Sequence, residues 1–129
     1  MTVDELWETI LHHDSINSII FGATFKAPDG AGQTNQDGLV YDHTYTVLSA
    51  VELSNGARLV KVRNPWGNEV YFGAWSDHSD TWTEELKLEV GHESANEGIF
   101  YMSIEDYHRQ FEETQISFDV SNWHSARFL

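Results

Sequence analysis

The sequence predicts an α+β fold, a twisted and mostly antiparallel β-sheet or open barrel with an N-terminal helix and one or two short helices packed on it. Three observations carry this prediction. A capping signal opens an amphipathic stretch at the start of the chain, Asn55-Gly56 separates two strand-like runs, and shorter β-rich runs recur towards the end.

Thr2-Val3-Asp4-Glu5 has the form of a capping box, in which a threonine oxygen meets the third backbone N–H and the glutamate reaches back to the cap. Leu6, Trp7, Ile10 and Leu11 follow at helical spacing, and His12, His13 and Asp14 form the polar end, so a helix is expected from about Val3 to His13. Ser18 to Thr24 is rich in β-branched and aromatic residues and reads as a buried strand. Ala27 to Gly38 carries three glycines and a proline among polar residues, the composition of a long surface loop.

Val40 to Leu53 and Arg58 to Asn64 are strand-like and flank Ser54-Asn55-Gly56, a strong hairpin signal. Glu69 to Trp75 extends the sheet in this reading, Ser76 to Asp80 breaks it, and Thr83 to Val90 forms a short helix. Gly98 to Met102 is a further strand. Ser103 caps a helix with apolar positions Ile104, Tyr107 and Phe111, and Ile116, Phe118 and Val120 alternate in a last strand. Neither a repeat nor an internal boundary interrupts residues 1–129, which read as a single domain.

A chain of 129 residues with 40% hydrophobic side chains can remove roughly two thirds of its unfolded surface from water. Seven Lys and Arg against 21 Asp and Glu give a net charge of −14, which repels nucleic acid and anionic membranes. With no cysteine there is no disulfide framework, in keeping with a reducing, cytoplasmic location. The apolar stretch at residues 6–11 is too short and too acidic for a signal core or a membrane span, so neither export nor a membrane partner is expected.

Two residues stand out chemically. The midpoint of His43 and Asn64 is (43+64)/2 = 53.5, next to the predicted turn, so the hairpin should return Asn64 to the neighbourhood of His43. An imidazole can relay a proton to and from a nucleophile, and a side-chain amide oxygen can hold the ring without adding a buried charge. Trp66, two residues beyond, is placed to cover that hydrogen bond and exclude water. No serine lies in a Gly-x-Ser-x-Gly elbow, which argues against a self-contained serine hydrolase. The remaining histidines, His12, His13, His78, His92, His108 and His124, show no zinc-type spacing.

His43 follows Gly38-Leu39-Val40, and Asn64 sits in Arg63-Asn64-Pro65-Trp66-Gly67; with Gly73-Ala74-Trp75-Ser76-Asp77 and Gly98-Ile99-Phe100-Tyr101-Met102-Ser103, these strings resemble the calpain family of papain-like cysteine proteases. The resemblance is to the second, β-rich half of the protease core. It implies that His43 matches the catalytic base, Asn64 its orienting residue and Trp66 the tryptophan beside them. It also implies that the chain is the C-terminal half of a catalytic core, an inactive fragment whose partner is the missing Cys-bearing half and whose substrates are intracellular proteins. The alternative is a calpain-like β domain that has lost catalysis and serves in protein or calcium binding.

No cofactor is expected for the chemistry itself, and calcium enters as a regulator in the family. Asp77 matches an acidic calcium ligand and Glu97 stands where the family usually has aspartate, whereas Val70 and Ile99 replace glutamates of typical calcium-regulated members. Calcium takes six to eight oxygen ligands, so Asp77 and Glu97 are expected to be the remains of a degraded site without tight binding.

Overall fold

The computed structural model describes residues 1–65, 71–77, 79–92 and 98–117, together with the backbone of residues 125–128. The elements in chain order are α1 (Val3–Ser15), β1 (Ile19–Thr24), β2 (Thr44–Glu52), β3 (Arg58–Arg63), α2 (Glu84–Val90), β4 (Ile99–Ser103), α3 (Ile104–Gln110), β5 (Phe111–Ser117) and β6 (Ser125–Phe128). The strands form one antiparallel, open sheet in the order β4-β3-β2-β1-β5, continued at its edge by β6. The α+β expectation therefore holds, with the sheet open rather than closed into a barrel.

Helix α1 starts at the expected capping box: Glu5 N–H donates to Thr2 Oγ1 at 3.1 Å, and Thr2 N–H donates to Glu5 Oε1 at 3.0 Å. Its buried face is Leu6, Trp7, Ile10 and His13, while Leu11 is 37% exposed. His13 thus corrects the expectation of a polar end. It continues the i, i+4, i+7 stripe from Leu6 and Ile10, and its Nδ1 meets Ser18 Oγ at 3.1 Å, which satisfies the ring as it is buried.

The turn between β2 and β3 is closed by Gly56 N–H to Leu53 O at 2.9 Å and Leu53 N–H to Ala57 O at 2.8 Å. Gly56 takes φ +89, a conformation that a Cβ disfavours. The ladder runs from Glu52–Arg58 to Ser49–Lys61, then shifts by one residue before Val47–Val62 and Thr46–Arg63. This bulge changes which side chains of β2 face the core. Tyr45 and Val47 point inward before it and Ala50 after it, and Leu48 at the irregularity is 39% exposed.

The sheet separates two apolar clusters by the alternation of its strands. Val60 and Val62 of β3 and Phe100 and Met102 of β4 join α1 and α3 in the larger core, which includes Ile10, Ile20, Tyr45 and Tyr107. Leu59 and Tyr101 face the other way, towards Trp75, Trp82 and Leu86 from the α2 region. Gly22 of β1 makes room for the first core: a Cβ there would lie 2.5 Å from Tyr107 Oη and 2.8 Å from Phe111 Cδ2.

Four expectations shift at the edges of elements. Val40 to His43 lies outside β2: Val40 makes an isolated bridge with Thr34, and the chain turns at Tyr41 and Asp42, with Asp42 at φ +51. Of the extension expected at Glu69 to Trp75, residues 69 and 70 lie outside the described residues, and Tyr71 to Trp75 is not strand but ends in a bend in which Trp75 takes φ +73 and its N–H donates to Thr81 Oγ1 at 3.1 Å. Phe111 opens β5 instead of ending α3, since it pairs with Thr24 of β1. The strand expected around Ile116 accordingly begins at Phe111, as β5; Phe118 and Val120 lie outside the described residues, and β6 had no sequence signal. No helix among the described residues is long and apolar enough to cross a membrane.

Candidate active site

Both candidate residues stand at the same end of the β2–β3 hairpin. His43 immediately precedes β2 and Asn64 immediately follows β3, where Pro65 has no N–H to continue a ladder. Continuing the Thr46–Arg63 register by one step sets Asn64 across from Tyr45, diagonally next to His43. The side chains meet: His43 Nε2 lies 3.2 Å from Asn64 Oδ1. With Nε2 carrying the proton, the imidazole donates and the carboxamide oxygen accepts.

Asn64 is 2% exposed and its backbone N–H donates to Gly98 O at 2.8 Å, so the carboxamide is held from the β3–β4 side. His43 is half-buried. Its ring packs edge-on against Tyr45, with centroids 4.9 Å apart and planes at 83°, and Tyr45 in turn touches Phe100 and Phe111 of the core. The Tyr45 hydroxyl accepts from Val40 N–H at 3.0 Å, which ties the turn before His43 to the same aromatic stack. Burial pushes the Tyr45 phenol up, so it remains a neutral hydroxyl.

Trp66 and Glu97 lie outside the described residues. Asp77 is 6% exposed, and its Oδ1 lies 3.6 Å from His92 Nε2. The His92 ring stacks on Tyr101 at 5.7 Å and meets Trp82 edge-on at 4.5 Å. Desolvation by these aromatics holds the imidazole below its ordinary value, against the opposing pull of Asp77. Sequence reading did not single out His92, because its partner is 15 positions away and no spacing rule links them.

The described residues near Asp77 supply an imidazole and indole and phenol rings, and Ile99 has no side-chain oxygen where the resemblance places a glutamate. Among the described residues no group of three or more His, Cys, Asp or Glu side chains is gathered as a metal cluster would require.

Comparison with known proteins defines the class. Residues 1–118 match the calpain family cysteine protease domain. The chain belongs to the calpain family of cysteine proteases. It is 37% identical over 109 residues to a calpain-type cysteine protease, ADL1, of Oryza sativa subsp. japonica, and 38% identical over 109 residues to the calpain-type cysteine protease DEK1 of Arabidopsis thaliana; each match covers 82% of this chain and 5% of the relative. Calpain clp-1 of Caenorhabditis elegans is 33% identical over 105 residues, covering 75% of this chain and 14% of that protein. The chain thus spans only a small part of the relatives it matches.

Proposed function

We propose that this chain is the His/Asn-bearing half of a calpain-like cysteine endopeptidase, with His43 as catalytic base, Asn64 as its orienting residue and Trp66 as a cover for their hydrogen bond. The observation that carries the reading is the 3.2 Å contact between His43 and Asn64 in a calpain-family chain that contains no cysteine. With Nε2–H directed at Asn64, Nδ1 carries the lone pair that takes the thiol proton from a cysteine supplied by the other half of the core. The thiolate attacks a peptide carbonyl carbon, and the proton held on His43 passes to the nitrogen as the C–N bond breaks. Water then hydrolyses the thioester, with the imidazole again taking a proton.

In this reading the substrates are proteins of the cytoplasm, and the acidic surface serves solubility rather than nucleic acid binding. Calcium, if it regulates the intact enzyme, acts elsewhere than at Asp77. The test is peptide hydrolysis by the intact protein and by the 129-residue chain. The intact protein should cleave, His43→Ala should reduce kcat by about 10²- to 10⁴-fold, and the chain alone should be inactive. An intact protein whose hydrolysis is insensitive to His43→Ala, or hydrolysis by the chain alone, would overturn the proposal. An intact protein without any hydrolysis would favour a non-catalytic β domain.

A further inference from the structure

We propose that Thr24 is a positioning residue for the His43 imidazole: its buried hydroxyl clamps the Val40–His43 turn and so sets the ring against Asn64. The inference rests on the reading of His43 as catalytic base. Thr24 is the last residue of β1 and is 4% exposed. Its Oγ1 donates to Val40 O at 2.7 Å, accepts from His43 N–H at 3.0 Å, and lies 3.2 Å from His43 O. Its own N–H donates to His43 O at 3.0 Å. One residue of β1 therefore holds both backbone polar groups of His43 and the carbonyl three residues before it.

The clamp is needed because the ladder stops short of the histidine. The last β1–β2 pair is Ala23 with Thr44, and β1 has an irregularity between Ala23 and Thr24, where pairing with β5 slips by one residue. The chain before His43 then turns through Asp42 at φ +51, whose N–H donates to Phe25 O at 2.8 Å. A turn through a left-handed non-glycine residue persists only where its surroundings over-determine it. The Thr24 hydroxyl supplies contacts on both sides of Asp42, at Val40 and at His43. On the opposite strand Asn64 is held independently through Gly98. The His43–Asn64 distance is thus the separation of two separately anchored points, and the Thr24 hydroxyl anchors one of them.

A positioning role predicts a loss in turnover without a loss in substrate capture, since a small misplacement of a reacting group is costly. Thr24→Val keeps the shape and removes the hydroxyl; Thr24→Ser keeps the hydroxyl. In the intact protein, Thr24→Val should lower kcat by about tenfold with KM changed by less than about twofold, and Thr24→Ser should restore turnover to within about twofold of wild type. The Thr24→Val/Asn64→Ala double variant should lose little beyond Asn64→Ala, because both act through one contact. Wild-type turnover in Thr24→Val, an equal loss in Thr24→Ser, or losses that multiply in the double variant would overturn the inference.

Should Thr24→Val fail to fold, Asp42→Val and Asp42→Gly load the same turn from its exposed side. Turnover should fall with valine and persist with glycine, and equal turnover in the two would sink the clamp. If His43→Ala leaves hydrolysis intact, the catalytic reading has failed, and nitrogen NMR of the His43 ring still decides the clamp. Its Nε2 signal should shift in Thr24→Val and not in Thr24→Ser, whereas an unchanged signal in Thr24→Val counts against it.

Discussion

The His43 Nε2 atom lies 3.2 Å from Asn64 Oδ1, although the residues are 21 positions apart in the chain. Four strands produce this contact. β1 holds His43 through Thr24, β2 and β3 set the diagonal, and the residue leading into β4 holds Asn64 through the Gly98 carbonyl. Asn64→Ala should therefore leave His43 in place but let its ring rotate. In the intact protein, kcat is expected to fall on the order of 10²-fold, a loss typical of a disturbed general base. Steady-state kinetics check this, and an Asn64→Ala enzyme with wild-type kcat would contradict the orienting role.

Two glycines should respond to substitution for different reasons. At Gly56 no heavy atom stands within 4 Å of an added Cβ, so Gly56→Val costs only the left-handed backbone, about 1–2 kcal/mol. At Gly22 an added Cβ meets Tyr107 and Phe111, and Gly22→Ala should cost about 1–3 kcal/mol through displacement of packed rings. Urea unfolding separates the cases, because Gly56→Asn should recover much of the Gly56→Val loss while Gly22→Ser should not recover the loss at Gly22.

Stability should decline on the acid side in two stages. His13 is held low by burial and then by the charge of His12, and His92 by burial. Both rings are kept neutral in the fold, so the unfolded chain binds more protons. Their contribution is complete above the ordinary imidazole value of 6.5 and is lost as pH falls through the lower folded values. Glu5, held low by Thr2, and Glu89, held low by Ser54, add a second loss below the ordinary carboxylate value of 4.5. Thermal melts from pH 8 to pH 4 should show Tm falling from about pH 6.5 downward, with His13→Asn flattening the first stage. A Tm independent of pH over the imidazole range would contradict the account.

Calcium should not stabilise the chain through Asp77. Calorimetric titration with calcium chloride is expected to give no micromolar isotherm, and chelator should leave Tm unchanged. A micromolar isotherm abolished by Asp77→Ala would reverse this conclusion.

The hairpin and its two chemical residues were legible because Asn55-Gly56 is a local signal and strand pairing converts sequence distance into spatial distance. The same arithmetic missed the bulge at Val47–Ser49, because counting back from a turn assumes unbroken pairing along the hairpin. Tyr71 to Trp75 read as strand from composition, yet Trp75 turns away to pack on Trp82, whose indole N–H donates to Trp75 O at 3.0 Å. His13 read as polar, and Ser18 made its burial acceptable. Thr24 gave no signal at all, since a threonine at a strand end is unremarkable until its hydroxyl meets a distant turn.

By itself the sequence determined the α+β class, the capped first helix, the hairpin and the calpain-type strings around His43 and Asn64, all of which depend on residues near one another in the chain. Tertiary structure alone decided that Thr24 clamps the turn before His43, that His92 stands beside Asp77, and that Tyr45 backs the imidazole. The division has a physical cause: periodicity and turn preference act over a few residues, whereas the direction of a buried hydroxyl or ring is set by whichever distant group leaves its hydrogen bond or its space unfilled.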